Sequence, residues 1–530
     1  MQRSLPRLMA LCLLGLTAAA PAAVFQYRIA AEGDKAIFLW IPPETTQVRG
    51  VVASGMTLME REMSRDPIIR QACAKKGLAI LFSSKGIGGI DLQTTLKQFA
   101  EISGYRELPY APLMFVGHSA GGPPSGKLAA EHADRCFGLV QYRGGGPGNV
   151  NLPPTVPALM MVGQFDEFGG TMRKEDGREQ WQNGADHLAR YRAETPGSLS
   201  AIVVEPGRGH FAWSEKNARF LATWITKAAE ARIAENWPIQ TDKPIQTRKV
   251  DPASGWLVDL DAIADASKAQ MAPYNEYKGD KDRAVWLFDK ETAEAWVEYH
   301  AGGFGKKDQF IKWNDRYWVD AGTRYFFLGM DWVGPDTFEV HPVYADKVLS
   351  QQKGNGPKWP KAGQPVGHAD APIRVKHVSG PVRPVGDHRF QMHYDNLNPP
   401  VGPQRVTFMA FSEGDDEYRY TEQVGMMPRG FKGLRKGKAQ TISFPEIPDL
   451  PADAKPYDLK AKSDADLPVQ YYVAYGPARV EDGKLVINQI PQRAKFPIEV
   501  EVVAWQFGSG VEPLVKTAEP VSRTFQITKP

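Results

Sequence analysis

A serine set between glycines is the first residue able to do chemistry. Gly117-His118-Ser119-Ala120-Gly121 follows the apolar run Leu113-Met114-Phe115-Val116 and precedes a helical segment over residues 126–133. A serine on a sharp strand-to-helix turn needs small neighbours, because the backbone is crowded there and the turn lifts the hydroxyl above the strand end. The position also lies at a helix N-terminus, whose free N–H groups favour developing negative charge. Ser119 is therefore the candidate nucleophile for attack on an acyl carbon. The alternative is a glycine-rich phosphate turn, but the Gly-x-x-x-x-Gly-Lys-Ser/Thr arrangement is lacking.

A serine hydroxyl needs a base at neutral pH. His210 is the candidate among ten histidines, because it stands in Gly207-Arg208-Gly209-His210-Phe211, after the apolar run Ala201-Ile202-Val203-Val204 and before a long helix. His118 is expected to point away from the serine and pack. A carboxylate must then orient the histidine and stabilise its cationic form. Asp166 follows the strand Ala158-Leu159-Met160-Met161-Val162, with Glu167 as its competitor. Two backbone N–H groups should face the developing oxyanion. The N–H of Ala120 is one candidate. The other is Met56, with Thr57 as the alternative, in Ser54-Gly55-Met56-Thr57.

Three further side chains are candidate substrate contacts. Phe211 and Trp213 could form an apolar or sugar-stacking wall, or, for Trp213, part of the core. Arg143 could meet an acidic substrate group, with a structural ion pair as the alternative. No cofactor is expected. Cys73 and Cys136 lack the spacing of a zinc site, and whether they form a disulfide is left open. Glu413-Gly414-Asp415-Asp416-Glu417 is acidic enough for calcium but lacks EF-hand spacing, so it reads as a solvated loop.

The elements that must position these residues alternate. Between residues 24 and 236, short apolar runs near 48–53, 78–83, 113–116, 137–141, 158–162 and 201–204 are separated by helical stretches. Such alternation predicts a mainly parallel sheet covered on both faces. Residues 237–253, with Pro238-Ile239-Gln240-Thr241 and Pro244-Ile245-Gln246-Thr247, read as a linker or surface strap. Residues 254–365 read as an α+β accessory region with one helix. Residues 366–530 read as all-β, with a hairpin turn at Glu481-Asp482-Gly483 and an immunoglobulin-like β-sandwich as the expected form. The aromatics Trp313, Tyr317, Trp318, Tyr325 and Trp332 suit either sugar stacking or β-core packing.

The 530 residues predict about three domains. Residues 1–23 read as a signal peptide: Arg3 and Arg7, an apolar run over 8–16, then Ala20-Pro21-Ala22. A secreted or periplasmic protein without a stable membrane span is expected. The net charge of +3 argues against a nucleic-acid partner.

With these residues in hand, residues 25–235 resemble the α/β-hydrolase superfamily, most closely its dienelactone-hydrolase-like and polysaccharide-esterase-like members. The order Ser119, Asp166, His210 matches the Ser…Asp/Glu…His order of that superfamily. A His-Gly pair before the oxyanion loop is missing. The gap between the runs at 137–141 and 158–162 leaves no room for a large lid, so the resemblance implies an open cleft. It implies an exported hydrolase of carboxylic esters, with an acylated polysaccharide as one substrate. A prolyl-oligopeptidase-type peptidase and a non-catalytic glycan- or protein-binding module are the competing readings.

Overall fold

The computed structural model describes residues 25–33, 35–55, 58–164, 166, 180–302, 304–313, 317–318, 326–348, 363–400, 406–427 and 433–530. Eight strands of the N-terminal part form one sheet: β1 (Tyr27–Ala30), β2 (Ala36–Trp40), β3 (Gly50–Gly55), β4 (Leu78–Ser83), β5 (Leu113–His118), β6 (Cys136–Tyr142), β7 (Ala158–Gly163) and β8 (Ser200–Glu205). Every residue of β3, β4, β5, β6 and β8 is buried. That is why the sequence shows unbroken apolar runs there rather than alternation.

The strand order is β1-β2-β4-β3-β5-β6-β7-β8. β1 and β2 pair antiparallel, and β2 meets β4 antiparallel. The other strands are parallel. This is the mainly parallel sheet expected from the alternation, in the form that the resemblance to α/β-hydrolases implies. From β3 the chain crosses to β4 on one side; from β5 it proceeds to β6 on the other. Adjacent strands whose connections leave in opposite directions open a crevice at their carboxyl ends. Ser119 follows β5, so the topology delivers it to that crevice.

The covering helices are α1 (Leu58–Arg65), α2 (Pro67–Lys75), α3 (Leu92–Ser103), α4 (Gly122–Glu131), α5 (Gln180–Glu194) and α6 (Glu215–Arg232). Side chains start several of them. Asp66 caps α2 by accepting from the N–H groups of Ile68 and Ile69, with Pro67 at the first helical position. Asp91 caps α3 and Ser214 caps α6. No helix among the described residues is long and apolar enough to cross a membrane. Cys73 and Cys136 are both buried and free. Burial pushes each thiol up to about 12.

Residues 237–253 carry almost no regular structure but are tied to the sheet's flank. Ile245 N donates to Tyr110 O, Thr247 N to Asp134 O, and Arg248 N to Arg232 O. The next segment covers an exposed sheet edge. β8 is the last strand, so its outward backbone groups lack a neighbouring strand. Helix α7 (Lys290–His300) lies against it. Trp296 Nε1 donates to Ile202 O at 2.7 Å, and Val204 N donates to His300 Nε2 at 3.0 Å.

The remaining strands are distributed over several small, mostly antiparallel sheets. One runs Tyr317–Trp318, Phe326–Leu328, Thr421–Met426, Thr407–Ser412, Arg374–Ser379; another joins Asp331–Trp332 and Thr337–Glu339 to Arg389–Met392 and Val382–Gly386. Both sheets therefore draw strands from either side of position 365. Asp482 and Gly483 have φ of 48° and 73° and close the hairpin between Ala478–Glu481 and Lys484–Ile487. Trp313 is fully buried, and Trp332 packs on Phe338 and Phe507, so these two aromatics serve the β core rather than a sugar platform. The side chains of Tyr317, Trp318 and Tyr325 lie outside the described residues. In the acidic loop, Asp415 Oδ1 accepts from the N–H groups of Glu417 and Tyr418, Lys307 pairs with Glu417, and Glu413 pairs with Arg208. Among the described residues no group of three or more metal-ligating side chains occurs.

Candidate active site

Ser119 sits where β5 ends and a tight turn over Ser119–Gly121 leads into α4. Its φ is +52°, the left-handed region that a non-glycine residue adopts only where its surroundings hold it there. Two glycines explain how the turn fits. A Cβ at Gly117 would lie 2.1 Å from Gly121 O, and one at Gly121 would lie 2.1 Å from Glu60 Oε1. The spacing of the motif is thus a steric requirement of the turn.

The carboxylate that crowds Gly121 is a residue the sequence did not single out. Glu60 lies in the first turn of α1 and is 1% exposed. Its Oε1 accepts from His118 N at 2.9 Å. Glu60 therefore ties α1 to the backbone just before the serine. Its sequence context, Leu-Met-Glu-Arg-Glu-Met-Ser-Arg, gives no sign of this role.

His118 is buried and packs on the other candidate histidine. Its Nε2–H donates to His210 O at 3.1 Å, and the ring centroids are 4.7 Å apart. Burial, reinforced by the neighbouring His210, holds the His118 pKa well below the ordinary value. The ring is therefore neutral and acts as a fixed donor beneath the His210 backbone.

His210 Nδ1 lies 2.8 Å from Asp166 Oδ1, and both side chains are buried. A carboxylate can only accept, so Nδ1 carries the proton and Nε2 is left as the basic nitrogen. Gln164 links their loops: its N donates to Glu205 O at 3.1 Å, and its Oε1 accepts from Gly207 N at 2.7 Å. Glu167, Met56 and Thr57 lie outside the described residues. Ala120 is exposed in the turn after the serine.

The loop carrying His210 is closed at its base by Glu205, which is 2% exposed. Glu205 accepts from Arg143 Nη2 at 2.7 Å, Ser214 Oγ at 2.7 Å and Asn217 Nδ2 at 2.7 Å. One carboxylate thus joins the end of β8 to the start of α6. Arg143 is accordingly a buried ion-pair partner with φ of +52°, not a side chain facing a substrate. The expected binding role is corrected by this burial: its charge is already neutralised by Glu205.

Phe211 stands edge-on to His210, with centroids 5.0 Å apart and an interplanar angle of 90°. Trp213 is half-buried. It packs against Tyr142 and donates from Nε1 to Asp66 Oδ2 at 3.0 Å, the carboxylate that also caps α2.

No family model matches this chain, and no curated protein matches it. Solved structures similar to part of it include a predicted CIB-like hydrolase from Thermoplasma acidophilum, at 14% identity and a TM-score of 0.28, covering 38% of this chain and 98% of that one. Est1E from Butyrivibrio proteoclasticus is similar at 15% identity and a TM-score of 0.27, over 39% of this chain and 99% of its own. Dienelactone hydrolase from Anabaena variabilis is similar at 14% identity and a TM-score of 0.27, over 40% of this chain and 98% of its own.

Proposed function

We propose that the protein is a serine hydrolase of carboxylic esters, with Ser119 as nucleophile, His210 as general base and acid, and Asp166 as the group that orients and stabilises His210. The reading rests on one juxtaposition. A serine held at positive φ on a strand-to-helix turn lies next in sequence to His118, whose ring packs on a histidine already paired with a buried aspartate. In the reaction, Ser119 Oγ attacks the ester carbonyl carbon and His210 Nε2 takes the hydroxyl proton. The tetrahedral intermediate collapses, and the leaving alcohol departs with that proton. Water then attacks the acyl-enzyme, giving a proton to His210; as the bond from the acyl carbon to Ser119 Oγ breaks, His210 returns that proton to Oγ and the acid is released. The N–H groups of Ala120 and Met56 are the proposed oxyanion donors.

The finer reading is an exported carbohydrate esterase that removes acyl groups from a polysaccharide, in a secreted or periplasmic location. The signal-like residues 1–23 and the short gap between β6 and β7 support it. The test combines a fluorophosphonate probe with hydrolysis of p-nitrophenyl esters and acylated polysaccharides. Wild-type protein should label and turn over; Ser119→Ala should do neither. Equal labelling of the two proteins would overturn the assignment of Ser119. Turnover of small esters without release of acid from any polysaccharide would remove the carbohydrate reading alone.

A further inference from the structure

We propose that the C-terminal β region is a working part of the same site, with Tyr420 as a positioning residue that holds the His210 loop through Arg208; this rests on the assignment of His210 as the base. Residues 206–214 bridge β8 and α6 and bear His210. Glu205, Ser214 and Asn217 fasten the base of this loop from within the N-terminal part. Its outer face is fastened from elsewhere. The Arg208 guanidinium lies 3.5 Å from the centroid of the Tyr420 ring, and its Nη2 pairs with Glu413 Oε2 at 3.0 Å. Gly207, at φ of +74°, brings the backbone so close that an added Cβ would stand 2.9 Å from Tyr420 Cβ. Tyr420 is itself fixed, because its hydroxyl donates to Glu422 Oε2 at 2.8 Å. On the far side of His210, Lys376 Nζ donates to Trp213 O at 2.6 Å.

Residues 208 and 213 thus bracket His210, and both are held by side chains about 160 to 210 positions later in the chain, while Glu205 faces Arg208 Nε from 3.6 Å and Gln164 holds Gly207 N from within the N-terminal part. Apolar contacts would join the two regions at a lower desolvation cost than a lysine and an arginine drawn out of water. What these polar grips add is direction: a planar guanidinium stacked on a ring and a lysine on one carbonyl define where a backbone stands. The two regions also meet near the opposite, amino-terminal ends of the strands. There Arg493 Nη1 donates to Thr46 O at 2.9 Å and Glu107 Oε1 at 2.8 Å, and the guanidinium lies over Tyr105. That second contact separates the effect of positioning His210 from the effect of merely joining the two regions.

The experiment uses full-length protein and p-nitrophenyl acetate. Tyr420→Ala should lower kcat by about tenfold or more, since small misplacements of a catalytic group carry penalties of that order, with KM within about twofold. Tyr420→Phe keeps the ring under the guanidinium but loses the hydroxyl bond to Glu422, and should recover part of the lost kcat. Arg493→Ala should lower the melting temperature and leave kcat unchanged. Hydrogen exchange should quicken in peptides covering 205–213 for Tyr420→Ala only. Should Tyr420→Ala fail to accumulate as folded protein, Lys376→Met carries the same test with the same expected loss. A kcat within twofold of wild type in the Tyr420→Ala or substituting Lys376→Met protein overturns the proposal, as does an equal loss in Arg493→Ala. Absence of probe labelling and ester turnover in the wild type would instead overturn the esterase reading itself.

Discussion

His300 completes the edge strand from which the His210 loop departs, and its chemistry gives the fold a calculable acid sensitivity. Its Nε2 accepts from Val204 N at 3.0 Å, and its Nδ1–H donates to Trp296 O at 2.7 Å. Both roles require the neutral ring with the proton on Nδ1. A protonated ring would present N–H to N–H at β8 and place a charge in a fully buried site. Burial accordingly holds its pKa down at about 3, against an ordinary value of 6.5. The sign follows from proton counting. Below pH 6.5 the unfolded chain protonates this histidine, while the folded chain does so only near pH 3. Between those values the unfolded state holds one more proton, so stability falls as pH falls, by about 1.4 kcal/mol per pH unit. From pH 6.5 to 4.5 the loss is about 3 kcal/mol. Urea unfolding followed by tryptophan fluorescence, on wild type and His300→Gln at intervals from pH 7.5 to 4.5, measures it. The glutamine carbonyl can still accept from Val204 N but does not titrate. The buried His118 and the carboxylates contribute to both proteins and cancel in the difference. The stability gap between wild type and variant should narrow by about 3 kcal/mol over two pH units. A gap that stays constant would refute the neutral, accepting His300.

The site offers four other tests. Gly121→Ala places a methyl group 2.1 Å from Glu60 Oε1; overpacking should cost about 1–3 kcal/mol, read as a lower melting temperature, and probe labelling of Ser119 should slow. Glu60→Ala leaves His118 N without its carboxylate acceptor and should destabilise by about 1–3 kcal/mol, whereas Glu60→Gln keeps an acceptor oxygen and should recover part of that loss in the same denaturation assay. Arg143→Met removes the buried ion-pair partner of Glu205, which keeps Ser214, Asn217 and, at 3.6 Å, Arg208; it should cost up to about 3–5 kcal/mol, with Arg143→Met/Glu205→Gln less damaged than the single variant. Asp166→Asn should leave the melting temperature close to wild type while kcat for an ester falls by about 10³–10⁴, because the amide favours the wrong tautomer of His210.

The N-terminal sheet was legible because burial on both faces writes itself as uninterrupted apolar runs. Ser119 was legible because its turn imposes glycines at fixed spacing, and His210 because the loop after the last strand has a characteristic place in the chain order. Other contributors left no such mark. Glu60 sits in a short helix of mixed polarity, and only the fold brings it 58 positions across to His118. Arg143 follows a buried strand and precedes a glycine run, a setting that suits a ligand contact as well as an ion pair; the partner, Glu205, is 62 residues away. For the C-terminal part the β composition and one hairpin turn were readable, but many of the strands, Arg374–Ser379 and Val521–Thr528 among them, and their partners were not. Short strands separated by polar loops can pair in many registers, and here they exchange partners across position 365.

Ser119 and His210, the proposed nucleophile and base, are held in place by different means. Ser119 is fixed locally: the glycines of its own turn and a carboxylate beneath it leave the backbone little freedom. His210 stands on a loop of nine residues between a strand and a helix, with glycines at 207 and 209. Such a loop has many accessible conformations, and ordering it costs conformational entropy that the local hydrogen bonds of Glu205 offset only at its base. Gln164, His118, Asp166 and Asp66 hold it further from within the N-terminal part, and contacts to Arg208 and Trp213 made by the C-terminal strands add a second set of constraints. The base of the proposed triad is therefore located jointly by both halves of the chain, whereas the nucleophile is located by one.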